Sequence, residues 1–123
     1  MAKILLIIED EVLLARELRR HYQREKWHVL IAATCAEARR LLSDEGQMPL
    51  VVISDMSLPD GNALDLLEDL GTGGGEWLFL TGYGSAADSV RALRLGAYDF
   101  LEKPVDFVRL DLVVAGAARS ARS

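Results

Sequence analysis

Four apolar runs in this chain are almost unbroken: "ILLII" (4–8), "VLIA" (29–32), "LVVI" (50–53) and "WLFL" (77–80). A strand with one wet face alternates apolar and polar residues, whereas a strand covered on both faces has no need to. The runs therefore predict a parallel sheet buried between helices. A fifth run, "YDFL" (98–101), adds a more polar strand. The segments between them carry helical spacing. Val12, Ala15, Leu18 and Tyr22 recur at three or four residues, with Arg16, Glu17, Arg19 and Arg20 on other faces. Thr34 and Glu37 form the pattern of a capping box opening a second helix, which Gly46 closes. Leu64, Leu67 and Leu70 mark a third helix before Gly71, and Ser85 with Asp88 opens a fourth that runs to Gly96. Asp106 caps a fifth, with a stripe of Leu110, Val113, Val114 and Ala117.

Strand and helix thus alternate five times. Right-handed crossovers and these lengths predict an α/β domain of flavodoxin-like (βα)5 type, a doubly wound five-stranded parallel sheet of order 2-1-3-4-5. A length of 123 residues fits one domain, 1–123, without an internal boundary. "GTGGG" (71–75) reads as a flexible connection. The tail "AGAARSARS", from residue 115 and most clearly from 117, reads as the start of a linker to an output domain. The formal charge of −5 argues against a grip on nucleic acid or an anionic membrane by this domain alone. Cys35, the single cysteine, can form no internal disulfide, which fits a reducing cytosol. The opening apolar run is too short for a signal peptide, and no stretch reaches bilayer length. A cytoplasmic protein that does not enter membranes is expected.

In open α/β sheets, sites form beyond the carboxyl ends of the strands, near the reversal of strand order. Strand one is followed by Glu9, Asp10 and Glu11, strand three by Asp55, strand four by Thr81, and strand five by Lys103 and Pro104. Carboxylates gathered there repel: at about 4 Å and an effective dielectric near 20, each like-charged pair costs roughly 4 kcal/mol. One lysine offsets only part of that. Either a carboxyl keeps a proton, or a cation enters. Mg2+ suits such a site, being a hard ion that takes carboxylate, water and phosphate oxygens. Asp55 can then serve as a nucleophile toward phosphorus, with Lys103 neutralising charge on the transferring group and Thr81 donating its hydroxyl to it.

The stretches "ILLIIEDE" (4–11), "VVISDMSLPDG" (51–61), "FLTGYGS" (79–85) and "GAYDFLEKPVD" (96–106), in this order and spacing, resemble the receiver domain of two-component response regulators. The last two most resemble receivers found in front of sigma-54-type activators or in related regulators. The resemblance implies that Asp55 is the phosphoacceptor, supplied by a histidine kinase or a phosphotransfer protein. It implies that Glu9 and Asp10, with Asp55 and the main-chain carbonyl of Ser57, hold Mg2+, for which Mn2+ can substitute. Thr81 would be the switch hydroxyl and Phe100 the switch aromatic. Lys103 would pair with the phosphoryl group, Gly82 would leave that group room, and Pro104 would follow a bond that is often cis. A homodimer or an output partner would use the face of the fourth helix, fifth strand and fifth helix. Ala63 stands where the family usually has glycine, which bears on the turn into the third helix. Ser57 and Tyr83 fall where the family tunes hydrolysis.

Other readings set limits. A phosphatase with a nucleophilic Asp would carry a second acid two residues on, where this chain has Ser57. A nucleotide or flavin binder would open with a Gly- or Ser-rich loop, whereas "EDE" repels phosphate. Turnover catalysis is therefore not expected. An interaction module of the same fold that works without phosphate is the remaining rival. Glu11 reads as an exposed first-turn acid serving the helix dipole. Phe100 divides evenly between core and switch. His21 and His28 lack a partner pattern and read as surface or strand-edge residues rather than phosphate carriers, Cys35 as an inert small residue, and Arg91 and Arg94 as solvated, with partner contact as the minority reading.

Overall fold

The computed structural model describes residues 3–82 and 86–122. Its elements run β1 (Ile4–Ile8), α1 (Val12–Arg24), β2 (His28–Ala32), α2 (Cys35–Leu42), a 3-10 turn (Glu45–Gln47), β3 (Val51–Asp55), β4 (Ser57–Leu58), β5 (Gly61–Asn62), α3 (Ala63–Leu70), β6 (Glu76–Thr81), α4 (Ala86–Arg94), β7 (Asp99–Glu102) and α5 (Phe107–Arg122). The main sheet is parallel and ordered β2-β1-β3-β6-β7. Setting aside the β4–β5 ladder, this is the expected order 2-1-3-4-5.

The unbroken runs are explained by the two cores. Alternate residues of each central strand point to opposite faces. Leu5, Ile7, Val51, Ile53, Leu78 and Leu80 meet Leu18 and Tyr22 of α1 and Leu110, Val114 and Ala117 of α5. Leu6, Ile8, Val52, Trp77 and Phe79 meet Ala38 of α2, Leu64, Leu66 and Leu67 of α3, and Ala92 of α4. Each fully buried large side chain contributes about 1.5–3 kcal/mol. Among the described residues no helix is long and apolar enough to cross a membrane.

Local expectations fare unevenly. Asp106 caps α5, its Oδ1 accepting from the N–H groups of Val108 (3.0 Å) and Arg109 (3.3 Å). Thr34 caps α2 through the Glu37 N–H, but Glu37 returns its bond to Ala33 at 3.4 Å rather than to Thr34. Gly46 does not close α2, which ends at Leu42 with Ser43 as its cap; Gly46 belongs to the separate 3-10 turn. Val12 lies off the buried stripe and is exposed, because it sits at the flank of the Ala15–Leu18–Tyr22 line in the first turn. The 71–75 segment is a shaped turn rather than a slack connection: a Cβ at Gly75 would meet the Pro49 carbonyl oxygen at 2.4 Å. Ala63 is fully buried as the first residue of α3, behind its cap Asn62, so alanine there is an ordinary helical residue. Ser85 and Tyr83 lie outside the described residues. Residues 117–121, set apart above as the start of a linker, continue α5 as helix, with Ala117 buried against the sheet.

Candidate functional site

Register carries the polar residues to one end of the sheet. Ile8 lies beside Ser54, so Glu9 emerges next to Asp55. Thr81 lies beside Glu102, so Lys103 emerges next to Thr81, and the Lys103 N–H donates to the Thr81 carbonyl oxygen at 2.8 Å. There the Lys103 ammonium meets Glu11 Oε2 at 2.6 Å, Glu9 Oε1 at 2.9 Å and Asp55 Oδ2 at 3.0 Å. One ligand atom from each of Glu9, Glu11 and Asp55 lies within 4.8 Å of the others.

The three acids are not equivalent. The Glu9 side chain is 1% exposed, that of Asp55 13%, and that of Glu11 61%. Glu9 Oε2 accepts the Glu11 N–H at 3.1 Å. Its Oε1 is buried and has no partner in hydrogen-bonding geometry, although Lys103 is at ion-pair distance. Burial pushes the Glu9 carboxyl above its ordinary range, against the opposing pull of Lys103 and the Glu11 N–H. Burial draws the Lys103 amine down, but its contacts with the carboxylates of Glu11, Glu9 and Asp55 outweigh that and hold it above the usual lysine value. Three carboxylates around one ammonium leave negative charge in excess, and a buried carboxylate oxygen lacks a hydrogen bond. Both features fit a hard divalent cation held by oxygen ligands.

Asp10 is exposed and stands outside this group. Glu9 and Glu11, two residues apart where the chain leaves β1 with Glu11 extended at φ −73 and ψ 105, both reach Lys103. Glu11, assigned above to the helix dipole, caps α1 without a side-chain cap bond and spends its carboxylate on Lys103 instead. The alternation of Glu9 and Glu11 after a strand was the available signal.

Over Asp55 opens a cavity of about 320 Å³ lined by Met56, Ser57, Asn62, Thr81, Gly82 and Lys103 among others. The Ser57 N–H donates to Asp55 Oδ1 at 3.3 Å, and the short β4–β5 ladder pairs Ser57 with Asn62. At Gly82 a Cβ would meet nothing within 4 Å, so the glycine borders open space. Thr81, buried at 4% exposure, also borders a second cavity of about 390 Å³ that holds Phe100, Val90 and Leu93. Phe100 is half-buried, packed against the core from one side. Pro104 follows a cis bond.

Elsewhere, His21 on α1, read from the sequence as a surface or edge residue without a partner, is half-buried and has one: its Nε2 lies 2.8 Å from Asp111 Oδ1 of α5, which also accepts the Tyr22 hydroxyl at 3.0 Å. Arg91 of α4 reaches Asp65 and Glu68 of α3, both at 2.7 Å, so it serves the chain itself rather than standing solvated. Burial and the neighbouring Asp60 raise the Cys35 thiol, which fits an unreactive group.

The model of the response regulator receiver domain family matches residues 5–115. The response regulator protein PilR of Pseudomonas aeruginosa is 38% identical over 117 residues, covering 93% of this chain and 26% of that protein. Two acid tolerance regulatory proteins ActR follow at 35% over 85% of this chain and 54% of theirs, so the chain spans about a quarter to a half of the length of these curated relatives. Among solved structures, a receiver domain protein from Methanospirillum hungatei superposes with a TM-score of 0.92 at 26% identity, covering 99% of this chain and 98% of that one. The beryllofluoride-activated NtrC4 receiver domain dimer gives 0.86 at 27%, covering 96% and 98%.

Proposed function

The chain belongs to the response regulator receiver domain family, and from that membership we propose that it is a switch that takes a phosphoryl group onto Asp55. The observation that carries this reading is the convergence of Glu9, Glu11 and Asp55 on Lys103 beneath an open cavity at the strand ends.

A carboxylate oxygen of Asp55 forms the new bond to phosphorus as the bond from phosphorus to an imidazole nitrogen of the donor breaks. The donor is a histidine kinase or a histidine phosphotransfer protein. Glu9, Asp10, Asp55 and the Ser57 carbonyl are the groups that would hold Mg2+, or Mn2+ in its place. Held there, such an ion would supply positive charge to offset that of the phosphoryl oxygens. Lys103 supplies the second positive charge from the β7 side. Gly82 leaves the incoming group space, and hydrolysis of the acyl phosphate returns the resting state. The chemistry is confined to the chain's own Asp55, so the domain works as a regulator rather than a turnover enzyme.

Thr81 borders both cavities, which supports a role in coupling. Its hydroxyl turns toward the phosphoryl group, Phe100 moves into the space this leaves, and the surface of α4, β7 and α5 changes with it. This is a two-state shift biased by phosphate. The changed face controls an output domain, partner or second copy: Val90 and Leu93 of α4 are exposed there, and the similar NtrC4 receiver domain was solved as an activated dimer. The regulatory proteins among the relatives support a transcriptional output in the cytoplasm. The rival reading, a module that never takes phosphate, leaves the excess of carboxylates over the single ammonium at this site without a role.

Amide NMR tests the reading. Beryllofluoride with Mg2+ should shift resonances around Asp55 and Thr81 and then across α4, β7 and α5. Shifts confined to the immediate site would remove the switch, and none at all would remove the site.

A further inference from the structure

We propose that Glu11 is a positioning residue that parks the Lys103 ammonium on the α1 side of the site, restraining it from the phosphoryl position. The inference rests on Asp55 as the proposed phosphoacceptor. The Lys103 ammonium donates hydrogen bonds to Glu11 at 2.6 Å and to Asp55 at 3.0 Å, and holds Glu9 at an ion-pair distance of 2.9 Å, so Glu11 is the closest of its three partners.

Lys103 stands on the wall between two spaces. One is the cavity over Asp55, where a phosphoryl group must sit. The other, of about 730 Å³, is lined by Glu11, Leu13, Glu17, Pro104 and Phe107, and Lys103 borders it as well. Glu11 lines only the second. Movement of the amine toward a phosphoryl oxygen therefore stretches the Glu11 contact.

The other two partners cannot play this part. Releasing Glu9 would strand a buried carboxylate oxygen that has no hydrogen bond and whose ion-pair partner is the Lys103 ammonium. The Asp55 contact passes to the phosphoryl group that Asp55 itself carries. Glu11 is mostly exposed, so water replaces the amine when the pair opens, and an exposed pair of this kind is weak enough to yield. A phosphoryl group brings a charge of about −1.5 to −2, ample to win the amine from one carboxylate. The restraint thus sets how much phosphoryl affinity the resting site withholds.

The test is a beryllofluoride titration at fixed Mg2+ of the wild type, Glu11→Gln and Glu17→Gln, with Glu11→Gln repeated in a Lys103→Ala background. Glu17 lines the same α1-side space but makes no ion pair with Lys103, so it reports the effect of charge alone. Glu11→Gln should bind about two- to fivefold more tightly, the scale of an exposed ion pair, Glu17→Gln should match the wild type, and the gain should vanish without Lys103. Equal or weaker binding by Glu11→Gln overturns the inference. So does an equal gain from Glu17→Gln, or a gain that survives Lys103→Ala or cannot be traced to the amine because that background binds nothing. A wild type that binds no beryllofluoride would instead remove the phosphoacceptor reading itself, and this inference with it.

Discussion

The two ends of α1 each gather three groups able to ligate a metal, yet they are built on opposite principles. At its start, Glu9, Glu11 and Asp55 surround Lys103; toward its end, His21 and Glu25 meet Asp111 of α5. In the second cluster the hydrogen bonds close: Asp111 Oδ1 accepts both the buried Tyr22 hydroxyl and His21, and the His21 ring packs edge-on against Tyr22 at 4.9 Å. Burial, then the neighbouring Asp111, hold the Tyr22 hydroxyl protonated far above the ordinary range. In the first cluster they do not close. Negative charge exceeds positive, and Glu9 Oε1 is buried without a hydrogen bond. A satisfied cluster fastens two helices. An unsatisfied one holds free energy that a cation and a phosphoryl group can release.

This contrast can be broken experimentally. Tyr22→Ala should have the largest effect on stability, about 3–5 kcal/mol in denaturant, because it empties a fully buried aromatic site. Beryllofluoride affinity of the folded protein should nevertheless be unchanged; a loss would merge the two regions. Lys103→Ala should fold but lose about 1–3 kcal/mol without metal, since its three partners then lack a counter-ion. Mg2+ should restore most of that loss. A variant indifferent to Mg2+ would show that charge is not in excess there.

Glu9→Gln should have a smaller effect, with a defined pH dependence in metal-free buffer. Burial raises the Glu9 carboxyl above its ordinary 4.5, so the folded chain holds that proton more tightly than the unfolded chain. Its stabilising share is complete below the ordinary value and is lost as pH rises through the folded one. The variant should therefore gain on the wild type as pH climbs out of the acid range; parallel denaturation profiles would refute the assignment. His21→Ala should cost least, about 0.2–1 kcal/mol, and leave Mg2+ affinity unaltered. A changed Mg2+ affinity would mean that the far end of α1 reports on the site.

Much of this was legible in the chain itself. Leu5 to Ile8, Val51 to Ile53 and Trp77 to Leu80 are apolar on both faces because helices cover both, so continuous runs located the central strands. Strand order then placed Asp55, Thr81 and Lys103 together. What was not legible depended on distances between elements. The partner of Glu11 lies 92 residues away and that of His21 lies 90 away, beyond any local pattern. Gly46 was misread because a glycine can end a helix or occupy a turn after it, and only the packing of α2 decides. The β4–β5 ladder is two residues long on each side, too short for periodicity to register.

The most direct test of the central claim is intact mass spectrometry of the chain after incubation with acetyl phosphate and Mg2+. The account predicts addition of one phosphoryl group, stable in acid and lost in base, that is absent without the metal and absent from Asp55→Asn. A wild type that stays unmodified, or an Asp55→Asn protein that carries the same acid-stable, base-labile group, would contradict it.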